Sequence, residues 1–182
     1  KAVTRTIRLW PQRPGSERTT RPIIVVDPDG QFAPLLEDVD HKVYRGFGSA
    51  PWGRSRVIFS PAASAALDAP QVRKLEAFLD GGGEAVLLGS TPGEAEVAGI
   101  EVWTVPWPVT RDWRPKHGMP AFSFMPAEDW IAPLAHVRTA RLLHGGEPWL
   151  SEGRDGAALV SAAEDVKLVW VAWPLAWDAS DP

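Results

Sequence analysis

Cysteine is absent from the 182-residue chain, which excludes disulfides, thiolate metal sites and a cysteine nucleophile. The compartment stays open, because cytosolic and exported proteins alike can lack cysteine. No apolar run reaches 18 residues, so no segment reads as a membrane-spanning helix. Internal repeats are missing too. A disordered composition is also missing: 45% of residues are hydrophobic and 23% charged, ordinary values for a globular protein with enough apolar surface to offset chain entropy. The length suits one domain spanning residues 1–182. The first residue is Lys1 rather than methionine, which reads as a chain processed or cut from something longer.

What is abundant is glycine (16), proline (18) and tryptophan (10). The first two predict many well-marked turns. The net charge of −4 hides an asymmetry. Residues 1–22 carry Lys1, Arg5, Arg8, Arg13, Arg18 and Arg21 against Glu17 alone, leaving an acidic body. The overall balance argues against a nucleic-acid partner. A basic arm can still reach phosphate or an acidic surface. The reading taken is a solvated edge strand whose arginines discourage edge-to-edge pairing, since no aromatic–basic interleaving follows.

The hydrophobic pattern predicts strands over Thr4–Trp10, Ile23–Val26, His41–Phe47 and Val57–Ser60, the last closed by Pro61. A helix follows. Asp68 is its N-cap, Pro70 lies in its first turn, and Val72, Leu75, Phe78 and Leu79 recur at helical spacing until Gly81-Gly82-Gly83. Ala85–Leu88 is the next buried strand, and strand–helix–strand in this order predicts a parallel crossover unit. Residues 103–130 hold six aromatic residues among five prolines and read as an insertion of little periodicity. A short helix is predicted over Ala127–Leu134. Strands are expected over Val137–Leu143, Ala157–Ala162 and Lys167–Trp173, paired antiparallel because their connections are short. The expected fold is α/β: a flavodoxin-like parallel sheet core with an antiparallel C-terminal extension.

The stretch Arg56–Gly93 resembles class I glutamine amidotransferase-like domains. It offers a strand Val57-Ile58-Phe59-Ser60-Pro61, a helix over Gln71–Leu79, a glycine turn, and a strand leading into Gly89-x-Thr91-x-Gly93. Residues Gly145–Pro148 through Leu168–Leu175 are similar to the closing hairpins of non-catalytic members. The resemblance covers about two thirds of the chain. It implies a place in a larger, membrane-anchored bacterial protein, in some cases alongside von Willebrand-type or aerotolerance-type modules. Family catalysis needs G-x-C-x-G and a His-x-Glu pair. Here Thr91 stands at the nucleophile position, and a hydroxyl without a nearby base is a poor nucleophile. Pro92 lacks the N–H that serves as oxyanion donor, a loss of about 3 kcal/mol of transition-state stabilisation. No His-x-Glu occurs, and His144 and Glu147 sit three apart at a turn.

A second resemblance is local. Ile23–Val26 followed by Asp27-x-Asp29-Gly30 is similar to the first motif of haloacid-dehalogenase-like phosphohydrolases. It implies Asp27 as nucleophile, Asp29 as general acid/base and Mg²⁺ between them, with Ser60 as the phosphate contact and Lys74 or Lys116 as the cation. Gln31 stands where that family favours threonine. No paired-aspartate motif follows, and only Glu94 and Glu96 are nearby substitutes. The plainer reading is an Asx-type turn before Gly30. Glu37, Asp38, Asp40 and His41 form an acidic knot without calcium-loop spacing. His117, His136 and His144 share no ligand spacing.

Exposed tryptophans can stack on sugars or anchor a partner, whereas buried ones fill core. Trp103, Trp170 and Trp173 are expected to be structural. Trp107, Trp113 and Trp130 are the candidate partner patch, and they carry the alternative of a carbohydrate-binding module. The leading expectation is a non-catalytic interaction or sensory domain needing no cofactor. Its partner is a protein or small ligand, and membrane anchoring lies in segments outside this chain. The expected place is the extracytoplasmic face of a bacterial membrane, although a basic leading arm favours the cytoplasm as the alternative. The ligand edge is expected at the carboxyl ends of the parallel strands, with Asp27, Asp29, Ser60, Ser90 and Thr91.

Overall fold

The computed structural model describes residues 21–36, 40–49, 52–89, 96–106, 113–115, 139–152, 158–163 and 167–172. The predicted strand Thr4–Trp10 and helix Ala127–Leu134 lie outside them. Stiff β-branched residues build β1, Ile23–Val26, because their restricted side chains fit a pleated, buried surface. β1 pairs in parallel with both β2 (His41–Tyr44) and β3 (Arg56–Phe59). β4 (Glu84–Leu88) adds to β3, and β10 (Leu168–Val171) adds to β4, both also parallel. The order β2-β1-β3-β4-β10 is the 2-1-3-4-5 arrangement of flavodoxin-like sheets.

The antiparallel extension starts at β10. β9 (Ala158–Ala162) pairs with β10 and also contacts β7 (Thr139–His144) and β8 (Glu147–Glu152). β5 (Glu101–Pro106) pairs with β7, and β6 (Trp113–Pro115) with β8. The supposed insertion therefore begins in a strand and contains another. Proline masks them: β5 closes the sheet order among the described strands, and edge positions tolerate the missing N–H. β8 also escapes a pattern reading, because Pro148 follows its first residue.

Both faces of β1, β3, β4 and β10 are buried, which explains why these strands read as continuous apolar runs. Ile24, Val26, Val57, Phe59, Ala85, Leu87, Leu168 and Trp170 form one face, packed with Val72, Leu75, Phe78 and Leu79. Val25, Ile58, Val86, Leu88 and Val169, on the alternate positions, are also buried. α2, Ala69–Asp80, starts in a capping box. The Gln71 N–H donates to Asp68 at 2.8 Å and the Asp68 N–H donates to Gln71 at 2.9 Å, so two orphan donors of the first turn are satisfied reciprocally. Pro61 does more than close β3: it opens a short helix, α1 (Pro61–Ala65), capped by Ser60.

Two expectations about side chains divide. Trp170 is fully buried and its indole N–H donates to the Gly89 carbonyl at 2.9 Å. Trp103, expected in the core, is 49% exposed. Strand alternation explains this, since its neighbour Val102 takes the core-facing position of β5. The amino end of the sheet is tied by charge. Glu84 pairs with Arg21 at 3.0 Å and Arg56 at 2.6 Å, and Arg21 also donates to the Gly82 carbonyl. One residue of the basic arm is thus fastened to β4.

Gly145 and Gly146 turn the chain between β7 and β8 with φ of 89° and 64°. A Cβ on Gly145 would run into the Gly99 carbonyl oxygen, and one on Gly146 would stand 2.5 Å from the Ala162 carbonyl oxygen. Gly145→Ala combines a left-handed backbone with a backbone collision. Its expected cost is about 2–3 kcal/mol, read as a lowered midpoint in urea denaturation.

Candidate functional site at the carboxyl end of the sheet

The sheet order reverses beside β1, since the chain runs from β1 to β2 on one side and then returns to β3 on the other. Open α/β sheets bind ligands in the crevice at such a point. Val26 and Phe59 are partners across the two strands, and the Ser60 N–H donates to the Val26 carbonyl at 3.0 Å. Asp27 and Ser60 therefore emerge side by side. Both are fully buried. Gly89 ends β4 at the same edge. Ser90 and Thr91, together with Trp107 and Trp130, lie outside the described residues, and of Trp113 only the strand position in β6 is described.

Asp27 organises the turn that follows it. Its Oδ2 accepts the Phe32 N–H at 3.1 Å and the Ala33 N–H at 2.9 Å. The Asp27 N–H donates to the Tyr44 carbonyl of β2. Oδ1 is buried and has no hydrogen-bond partner. Burial pushes the Asp27 carboxyl up, but the Ala33 N–H, the nearby Asp29 and Ser60 side chains and the Phe32 N–H together outweigh it, holding the group below its ordinary value.

The remaining polar groups are committed locally. Asp29 is exposed and accepts the Gln31 N–H at 3.3 Å, which is the Asx-type turn. Ser60 Oγ accepts the Ala63 N–H at 3.2 Å. Gly30 has φ of 74°, and the Arg45 guanidinium lies 2.9 Å from where its Cβ would stand. Arg45 also donates to the Pro28 carbonyl at 3.2 Å. Arg45 was not foreseen; a lone arginine just beyond a strand carries no sequence signal. Lys74 sits elsewhere, its Nζ 5.2 Å and 5.3 Å from the ring centres of Phe47 and Trp52, where a cation is held by aromatic faces. Lys116 and Glu94 are outside the described residues.

This geometry bears on the phosphohydrolase resemblance. A nucleophilic carboxylate must reach phosphorus, yet Asp27 is sealed and one of its oxygens holds two N–H groups. No group of three or more His, Asp or Glu side chains among the described residues is placed to hold a metal ion. No step through a metal follows from this arrangement of the described residues. His144 and Glu147 flank the Gly145–Gly146 turn, with the His144 ring stacked on Trp103. No helix of the described residues is long and apolar enough to cross a membrane. Comparison of the chain with family models, curated proteins and solved structures finds no match.

Asp27→Ala removes the acceptor of a buried N–H, with an expected destabilisation of about 3 kcal/mol in urea. The wild-type carboxyl titrates lower when folded than when unfolded. Its contribution is therefore full above the ordinary carboxylate range and fades as pH falls through the folded value. Stability measured from neutral pH into acid should fall further for wild type than for Asp27→Asn.

Proposed function

We propose that the chain is a non-catalytic interaction or sensory domain with an amidotransferase-like fold, belonging to a larger membrane-anchored bacterial protein and working through the β1/β3 crevice. The observation that carries this reading is the Asp27 carboxylate: fully buried, held by two backbone N–H groups, with one oxygen left unpartnered. A buried polar atom without a partner is costly, and at a crevice of this kind it favours a ligand that brings a hydrogen-bond donor. Asp27 is fully buried, and we infer that the Pro28–Gln31 turn moves when a ligand reaches Oδ1. Its residues Pro28, Asp29 and Gln31 are exposed, so ligand occupancy is converted into displacement of a surface loop. That coupling suits a sensor better than a catalyst. The amidotransferase resemblance, with Thr91 and Pro92 where catalysis needs other residues, supports the same conclusion and supplies the membrane-anchored context.

Asp27→Asn is the sharp variant. Its amide oxygen keeps the bonds to Phe32 and Ala33, while its NH₂ turns the unpartnered acceptor into a donor. Backbone ¹H–¹⁵N spectra of the chain titrated with methylammonium and with arginine amide should show saturable shifts at Phe32, Ala33 and Ser60, weakened at least about tenfold in Asp27→Asn. Hydrolysis of p-nitrophenyl phosphate with Mg²⁺, or of glutamine, should be absent. Turnover that disappears in Asp27→Asn would replace this reading with the phosphohydrolase.

A further inference from the structure

Among the described residues only Val43 and Trp103 are large hydrophobic side chains that stand exposed. Trp103 differs from an incidental surface residue in being held on two sides. Its indole N–H donates to Glu101 Oε2 at 3.0 Å. The His144 ring lies against it at 4.1 Å between centres, tilted by 30°. The backbone dictates the grouping: Glu101 and Trp103 are two apart on β5 and share a face, and the register sets His144 opposite Glu101.

We propose that Glu101, Trp103 and His144 form a saccharide-binding platform for a neutral pyranose ring. The indole N–H is already satisfied, so the platform offers a ligand two things: an aromatic face, and the remaining acceptor capacity of Glu101. A pyranose matches both, with a C–H face that stacks on the ring and hydroxyl donors at its rim. A cationic ligand also suits an indole beside a carboxylate. The His144 ring lies against one face of the indole, so a cation would meet a single free aromatic face rather than a cage, whereas a pyranose needs only one face to stack on. Because the indole is fixed before binding, little further ordering is required. The platform lies on β5 and β7, does not involve Asp27, and stands or falls independently of the reading above.

The ten tryptophans give ten indole N–H resonances, and the spectrum of Trp103→Phe identifies the one from Trp103. Titration of the full chain with chitotriose and with cellohexaose, to about 10 mM to allow for weak binding, should shift the Trp103 resonance saturably. Glu101→Gln should weaken that response about tenfold, and Trp103→Ala should abolish binding measured by calorimetry while leaving the other nine resonances in place. If Trp103→Ala does not fold, the wild-type shift and Glu101→Gln decide the matter. No movement of the Trp103 resonance with either glycan would overturn the proposal. So would movement only with tetramethylammonium, or glycan binding undiminished in Trp103→Ala.

Discussion

The bond from the Ala33 N–H to the Asp27 carboxylate is the contact on which the carboxyl end of the sheet depends. It fixes where the chain goes after β1, so that residues 33–36 coil back before β2 begins. An ionised group buried at this position is tolerable only because backbone donors replace part of its hydration. The arrangement leaves one oxygen over. That residue of unmet demand, at the point where the strand order reverses, is what distinguishes this edge from the rest of the molecule.

The two ends of the parallel sheet are built from different chemistry. At the amino end, Glu84 is clamped between Arg21 and Arg56. The carboxyl end is held by single hydrogen bonds rather than ion pairs: the Asp27 carboxylate on the Ala33 N–H, the Ser60 cap on α1, the Trp170 indole on the Gly89 carbonyl, and the Arg45 side chain on the Pro28 carbonyl. A network of paired charges is suited to holding strands in register. The aromatic group of Phe47, Trp52, Phe59 and Phe78, with ring centres 4.5–5.9 Å apart, anchors the β2–β3 connection to α2.

Legibility in the sequence followed the reach of the interactions. β1 and the core face of α2 were readable because a run of β-branched residues and a cap with its 3.6-residue period are local signals. The carboxyl-edge grouping of Asp27 with Ser60 followed from strand order alone. β5, β6 and β8 were hidden because proline and tryptophan disguise an alternation that only pairing with distant strands enforces. Trp103 was assigned to the core for its residue type, when its parity along β5 decided the matter. Arg45 and the unpartnered oxygen of Asp27 are consequences of tertiary placement with no local pattern behind them. Ser60 was nominated for phosphate, but a serine followed by proline at a strand end is also the start of a helix, and that is its use here.

The most direct test of this account is a titration of the Asp27 side-chain carboxyl by ¹³C NMR, with the Ala33 amide followed in the same series. The account predicts a midpoint below the ordinary 3.8, with the Ala33 amide shifting at the same pH as its acceptor is lost. A midpoint at or above that value, or an Ala33 amide indifferent to it, would contradict the claim that backbone donors hold this carboxylate ionised and that the carboxyl edge is organised around it.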